Sequence, residues 1–130
     1  MLIDTNPLVW YGLEPERLSP HAARLLRTRG NHYSHVSLWE LAIKSGLGKI
    51  HLYDAAREPI SAKEFLLSLR RELELHALPL EFDDLAAVEH LTLHHKDPFD
   101  RLLVVQAKRV NLPIVSPDPV FERYGVKRVW

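Results

Sequence analysis

Five acids carry most of the chemical content of this sequence: Asp4, Glu40, Asp97, Asp100 and Asp118. Carboxylates that gather in one place repel one another, and left alone some would hold a proton. A divalent cation removes that penalty. Carboxylates with no histidine at matching spacing suit a hard, oxygen-seeking ion, Mg²⁺ or Mn²⁺. Such ions bind phosphates, polarise the scissile phosphorus–oxygen bond and lower the pKa of bound water. The set therefore suits phosphodiester hydrolysis by a metal-activated water.

That chemistry requires elements that bring the acids together. Met1 to Ile3 reads as a short buried strand ending at Asp4. Asn6-Pro7 has the form of an N-cap followed by proline at the first helical position. Ser19-Pro20 repeats the signal and opens a helix through about Arg29, stopped by Gly30-Asn31. His32 to Val36 is a second strand. Ser37 to Glu40 has capping-box spacing, and Trp39, Ile43 and Leu47, four residues apart, mark one face of the helix that follows. Residues 51–60 read as a loop.

Ser61 to Glu64 is another capping box, opening a helix to about Leu75. Ala77 to Leu80 is a short strand and Phe82 to His90 a short helix. Asp97-Pro98-Phe99-Asp100 opens the strongest helix, running to about Val110. Leu112 to Ser116 is a strand, Pro117-Asp118-Pro119 begins a helical turn, and Gly125 to Trp130 is a last strand.

Strands that alternate with helices predict an α/β architecture with a parallel sheet covered on both faces. Ligands of such sheets sit beyond the carboxyl ends of the strands. Asp4 and Asp118 follow strands, Glu40 lies just after one, and Asp97 and Asp100 open a helix entering from the same side. Each acid also has a local use. Glu40 fits a capping box or a pair with Lys44, Asp97 fits an N-cap, Asp100 sits near a positive helix terminus, and Asp118 fits the cap of the turn at Pro119. Capping does not explain their gathering at the ligand edge, and it accounts poorly for Asp4.

The chain has 130 residues, the size of one domain, and shows no repeat, low-complexity segment or linker. Lys plus Arg total 17 and Asp plus Glu total 17, so net charge neither suggests nor excludes a nucleic-acid partner. Absence of cysteine excludes disulfides, thiolate metal sites and a cysteine nucleophile, and fits a reducing compartment. No basic leader or membrane-length apolar run is present, so the expected location is the cytoplasm.

At Leu2-Ile3-Asp4-Thr5-Asn6, Val36 to Lys44, His94 to Leu103 and Ile114-Val115-Ser116-Pro117-Asp118, the sequence resembles the PIN-domain nucleases, and among them the VapC-type toxins. In order and spacing these pieces span nearly the whole chain. His94 to Leu103 is the most specific of them, and His51 to Pro79 matches poorly. The resemblance implies one PIN domain over residues 1–130. It implies a three-layer fold, with a central parallel sheet of about five strands between helices. Asp4, Glu40, Asp100 and Asp118 are then the metal-binding, catalytic acids, with Asp97 an extra acid that holds a metal-bound water or only caps its helix. Thr5 and Ser116 match small hydroxyl positions beside the acids, either orienting them or bonding within local turns. The resemblance further implies an endoribonuclease toxin acting on tRNA, rRNA or mRNA, a homodimer, and inhibition by a cognate VapB-type antitoxin.

Other polar residues are less decisive. Lys44, Lys96 and Arg101 are candidates for RNA phosphate contacts, Arg101 equally for a pair with a neighbouring acid. His94-His95-Lys96 could hold the RNA backbone or help a leaving group, but reads rather as a solvated loop, because histidine pairs are common in loops and a metal role needs a third ligand at suitable spacing. Trp10 and Tyr11 belong either to the core or to an apolar groove, whereas Trp39 and Trp130 read as packing. Two alternatives remain open. One is a phosphatase of a haloacid-dehalogenase-like kind with Asp4 as nucleophile, which wants a second Asp where Asn6 stands. The other is a non-catalytic module that binds RNA or protein.

Overall fold

The computed structural model describes residues 1–130. Five short strands form the sheet: β1 (Leu2–Ile3), β2 (His32–Ser34), β3 (His76–Leu78), β4 (Ile114–Val115) and β5 (Arg128–Val129). Their order is β3-β2-β1-β4-β5, and every neighbouring pair is parallel. The chain builds outward from β1 through β2 to β3, then crosses back to add β4 and β5 on the other side. The reversal leaves a crevice at the carboxyl ends of β1 and β4, where sheets of this type bind ligands.

Seven helices connect the strands: α1 (Thr5–Leu13), α2 (Pro20–Leu26), α3 (His35–Gly46), α4 (Ala62–Glu72), α5 (Phe82–Ala87), α6 (Pro98–Arg109) and α7 (Val120–Arg123). Side chains alternate between the two faces of a strand, and the core divides accordingly. Ile3 and Val115 join Leu8, Leu26, Phe65 and Leu69 on one face. Leu2 and Ile114 join Leu103, Val104, Phe121 and Val126 on the other. Both faces are thus covered, the arrangement that an all-parallel sheet requires.

Several boundaries differ from the sequence reading. The cap of α1 is Asp4, whose Oδ1 accepts from Thr5 N at 2.6 Å. Asn6 and Pro7 are already helical. Pro7, as the third helical residue, lacks an N–H that the first turn leaves unpaired in any case. Ser34 caps α3 by accepting from Val36 N, so β2 ends before Val36 and Ser37 is not a cap. Ser37 is buried and accepts from Thr5 Oγ1 at 3.1 Å.

Helix α2 stops at Leu26 and α4 at Glu72, each short of its predicted end. The strands are also shorter than predicted, although main-chain bonds from Leu2 to Pro113 and from Ser116 to Val129 continue the ladder. The capping box at Ser61 and Glu64, the Ser19 cap and the Asp97 cap all form.

Trp39, read as packing, is 49 % exposed, and Ile43 and Leu47 are exposed with it. The buried face of α3 is Val36, Ser37, Glu40 and Leu41. The four-residue period marked a real helix but its outer face. Trp39 instead lies edge-on to Phe99 at 5.0 Å, and Trp10 lies edge-on to Trp130 at 5.7 Å. No helix is long and apolar enough to cross a membrane.

Candidate active site

Asp4 is delivered by the end of β1, and two bonds fix its carboxylate. Thr5 N donates to Oδ1, and Ser116 Oγ donates to Oδ2 at 2.7 Å. Ser116 also accepts from Asp118 N at 3.1 Å, so one hydroxyl ties the acid after β1 to the acid after β4. Thr5 reaches Asp4 through its main chain only, because its hydroxyl is turned to Ser37.

Glu40 projects from the second turn of α3 and is buried. It pairs with Lys44 one turn on, as the (i, i+4) geometry of a helix allows. Its capping-box reading fails because α3 begins earlier, at His35. Asp97 is the N-cap of α6, its Oδ1 accepting from Phe99 N at 2.8 Å and Asp100 N at 3.3 Å. Asp118 Oδ1 accepts from Val120 N at 2.8 Å, a turn that leads into α7 past its cap residue Pro119. The local uses of Asp97 and Asp118 therefore exist, and Asp4 caps a helix as well. Capping occupies only part of each carboxylate's acceptor capacity.

The electrostatics show how close these groups lie. Burial pushes the Asp4 carboxyl up to about 7, against the pull of the Ser116 and Thr5 bonds, and the charges of Asp100 and Glu40 push it further. Burial also lifts Asp100 to about 6, helped by Asp97, Glu40 and Asp118. Asp4, Glu40, Asp100 and Asp118 thus share one edge. Lys44 is the cation fixed on them, and its bond is to Glu40.

His95 belongs to the same edge, although the solvated loop was the preferred of its two sequence readings. A ring nitrogen of His95 and one carboxylate oxygen each of Asp100 and Asp118 lie within 4.8 Å of one another, and Nδ1 is 3.8 Å from Asp100 Oδ2. The available signal was its position immediately before the acidic helix start. Its spacing to Asp118 was silent, because only the fold brings α6 and the β4 end together.

Arg101 does not pair with a neighbouring acid. Its guanidinium donates to the main-chain oxygens of Val88, Leu91 and Thr92 and to Tyr124 Oη, and it touches no acid. Its five rigid donors suit a cluster of carbonyls. Arg109 is likewise committed, to Asp84 and Glu81. Lys96 is exposed beside the site.

The donor set is therefore mainly carboxylate oxygen, partly buried and short of counter-charge, at the crevice between β1 and β4. It fits a hard divalent cation, and Asp4, Glu40, Asp100 and Asp118 are the residues that could hold one.

Comparison with known proteins bears on the family and the fold. The family profile of the PIN domain matches residues 1–127. No curated protein matches the chain in sequence. In fold, the chain is similar to VapBC2 from Rickettsia felis, solved bound to a DNA fragment from their promoter. There it is 16 % identical over 98 % of this chain and 96 % of that one, with a TM-score of 0.63. DNA-bound VapBC from Salmonella typhimurium gives 17 % identity, 98 % and 95 % coverage and a TM-score of 0.64. FitAcB from Neisseria gonorrhoeae gives 19 %, 99 % and 96 %, and 0.60. At these identities the likeness is one of fold.

Proposed function

The chain belongs to the PIN-domain family, and on that basis we propose that it is a Mg²⁺- or Mn²⁺-dependent endoribonuclease, the VapC-type toxin of a toxin–antitoxin pair. Its substrate is RNA, and Asp4, Glu40, Asp100 and Asp118 are its catalytic acids. Family membership removes the haloacid-dehalogenase-like alternative. The observation that carries the proposal is the state of Asp4. This carboxylate is 3 % exposed, has no cationic partner, and is raised to about 7 by burial and by neighbouring acids. A fold does not need such a group, whereas a site that takes up a cation does.

When bound there, the ion would neutralise the acids, polarise the phosphodiester and make a water more acidic. The protein's own part is preorganisation. Ser116 fixes Asp4 against Asp118 across the β1–β4 crevice, the main-chain N–H of Thr5 fixes the other Asp4 oxygen, and the Asp97 cap sets the start of α6 and with it Asp100. Lys44 holds Glu40 at the rim. The partners that go with this reading are RNA, a VapB-type antitoxin and a second copy of the chain, and the location is the cytoplasm. The VapBC and FitAcB structures, which share the fold, support the antitoxin part.

The test is cleavage of total cellular RNA by the purified protein and by Asp4→Asn, each with Mg²⁺ and with EDTA. The proposal expects cleavage only by the wild type with Mg²⁺. Cleavage surviving both the substitution and the chelator would overturn it, and no cleavage by folded, antitoxin-free protein would favour a binding module.

A further inference from the structure

His95 sits in a closed circuit of contacts that the acid set alone does not require. Asp118 accepts from Val120 N at the start of α7, and Tyr124, the C-cap of α7, is buried. Tyr124 Oη accepts from His95 N at 2.9 Å and from Arg101 at 3.4 Å. Arg101 in turn gathers the carbonyls of Val88, Leu91 and Thr92 at 2.9–3.3 Å, which ties down the segment leading into His95. The ring of His94 packs edge-on against Tyr124 at 5.0 Å. At the other end, Asp97 N donates to His95 Nδ1 at 2.9 Å. The main chain of His95 is therefore held by Tyr124 and its ring by Asp97 N, with a third of the side chain still open to solvent beside Asp100 and Asp118.

The bond from Asp97 N decides what the ring can do. An N–H donates to Nδ1 only if that nitrogen carries a lone pair, and a neutral imidazole then keeps its proton on Nε2. Neither nitrogen is left with a free lone pair for a metal. The ring can still donate, from Nε2–H, and the natural acceptor at an acidic, cation-binding edge is an oxygen of the phosphate that the cation draws in.

We propose that His95 is a substrate-contacting residue of this site, donating from Nε2–H to a non-bridging oxygen of the scissile phosphodiester, with Arg101 and Tyr124 as the positioning residues that hold it there. The inference rests on the nuclease reading above and adds to it a neutral donor that is not a metal ligand. Arg101 suits the positioning role because one planar guanidinium spans several carbonyl acceptors, which the single ammonium of lysine does not.

The experiment combines cleavage kinetics, calorimetric Mn²⁺ binding and the ¹⁵N signals of the histidine rings. His95→Ala is expected to lower kcat about a hundredfold, the scale for loss of one fixed donor, with Mn²⁺ affinity unchanged. His95→Gln, which places an amide donor near the Nε2 position, is expected to recover most of the loss. Arg101→Lys and Tyr124→Phe are expected to cost roughly tenfold each, and to cost nothing further in the His95→Ala background, because residues that act through one group are not additive. Tyr124→Phe keeps the buried ring and removes only the hydroxyl, so it remains informative if Arg101→Lys folds poorly. Wild-type ring signals should show Nε2 protonated and Nδ1 bare.

Three results would overturn the inference: wild-type cleavage by His95→Ala, loss of Mn²⁺ binding in that variant, or a proton on Nδ1 in the wild type. A wild-type protein that cleaves no RNA overturns the nuclease reading and this inference with it. A cleaving wild type beside an equally active His95→Ala overturns this inference alone.

Discussion

Asp84 and Asp4 are almost equally hidden from solvent, at 1 % and 3 % exposure, and their surroundings are opposite. Asp84, in the first turn of α5, meets Arg109 of α6 in a two-pronged contact, Nε to Oδ1 at 2.7 Å and Nη2 to Oδ2 at 3.1 Å. It also completes a capping box by accepting from Glu81 N at 2.9 Å. Asp4 meets a hydroxyl, a main-chain N–H and the charges of two more acids. The Asp84 region supplies its own cation and joins two helices, whereas the Asp4 region lacks one at the crevice of the sheet. A buried acid with its counter-ion on an adjacent helix is part of the scaffold. A buried acid whose charged neighbours are acids is poised for a cation from solution.

The most direct way to break this comparison is Asp4→Asn. Asparagine keeps an oxygen for Thr5 N, so the fold should persist. Cleavage should fall by roughly a hundred- to a thousandfold, the range for losing one preorganised charge-stabilising group. Thermal melting at pH 8 without divalent metal should show a midpoint equal to or above wild type. A sharply lowered midpoint would make Asp4 a structural acid like Asp84.

The next test is pH. Asp4 is raised from its unfolded value to about 7, so the folded state binds the proton more tightly than the unfolded state does. The stability contribution is thus fully present below the unfolded pKa and declines as pH rises toward the folded one. At ~1.4 kcal/mol per unit, Asp4 alone costs about 4 kcal/mol between roughly pH 4 and pH 7. Asp100, raised to about 6, acts in the same direction. Denaturant titrations at pH 5 and pH 8 in EDTA should show the part of this loss that falls between them, about 3 kcal/mol from Asp4. Mg²⁺ at about a hundred times its Kd should return about 2.7 kcal/mol at pH 8, and less at pH 5, where protons compete. An Mg²⁺ effect equal at both pH values would contradict the electrostatic account of the site.

Asp84→Asn should lower stability by roughly 2–3 kcal/mol, because it removes charged hydrogen bonds at a buried oxygen pair while leaving Arg109 partly solvated. Cleavage per folded molecule should be unchanged. Loss of Mg²⁺ binding in this variant, measured by calorimetry, would show that the two regions are coupled rather than separate. The smallest expected effect is that of Lys44→Gln. The pair with Glu40 is partly exposed, so its loss should change stability by about 1 kcal/mol or less. With the cation gone from the acid edge, Mg²⁺ should bind slightly more tightly. Markedly weaker Mg²⁺ binding would instead give Lys44 a role in shaping the site.

Much of this comparison was legible before any fold was known. The acids could be named because Asp4 follows an apolar run and because Asp97-Pro98 and Pro117-Asp118-Pro119 punctuate the chain where helices begin. The α/β order could be read from alternating runs, and the caps at Ser19, Ser61 and Asp97 from side chains that bond within three residues. The start of α3 was read one turn late because Ser34 and Ser37 both resemble caps, and only burial against Thr5 assigns Ser37 elsewhere. The outward-facing Trp39, Ile43 and Leu47 were misleading because periodicity identifies a helix but not which of its faces meets the sheet.

The sequence by itself determined whatever depends on neighbours along the chain: where helices begin, which residue types offer oxygen ligands, and the absence of thiol chemistry. The tertiary structure decided what depends on distant parts of the chain meeting. It joined Ser116 to Asp4 across 112 residues, set His95 beside Asp118, committed Arg101 to a cluster of carbonyls, and gave Asp84 a cation while leaving Asp4 without one. The physical reason is that charge and desolvation act through space. A carboxylate's role is set by the groups within a few ångströms of it, and in this parallel sheet those groups come from strands and helices far apart in the chain.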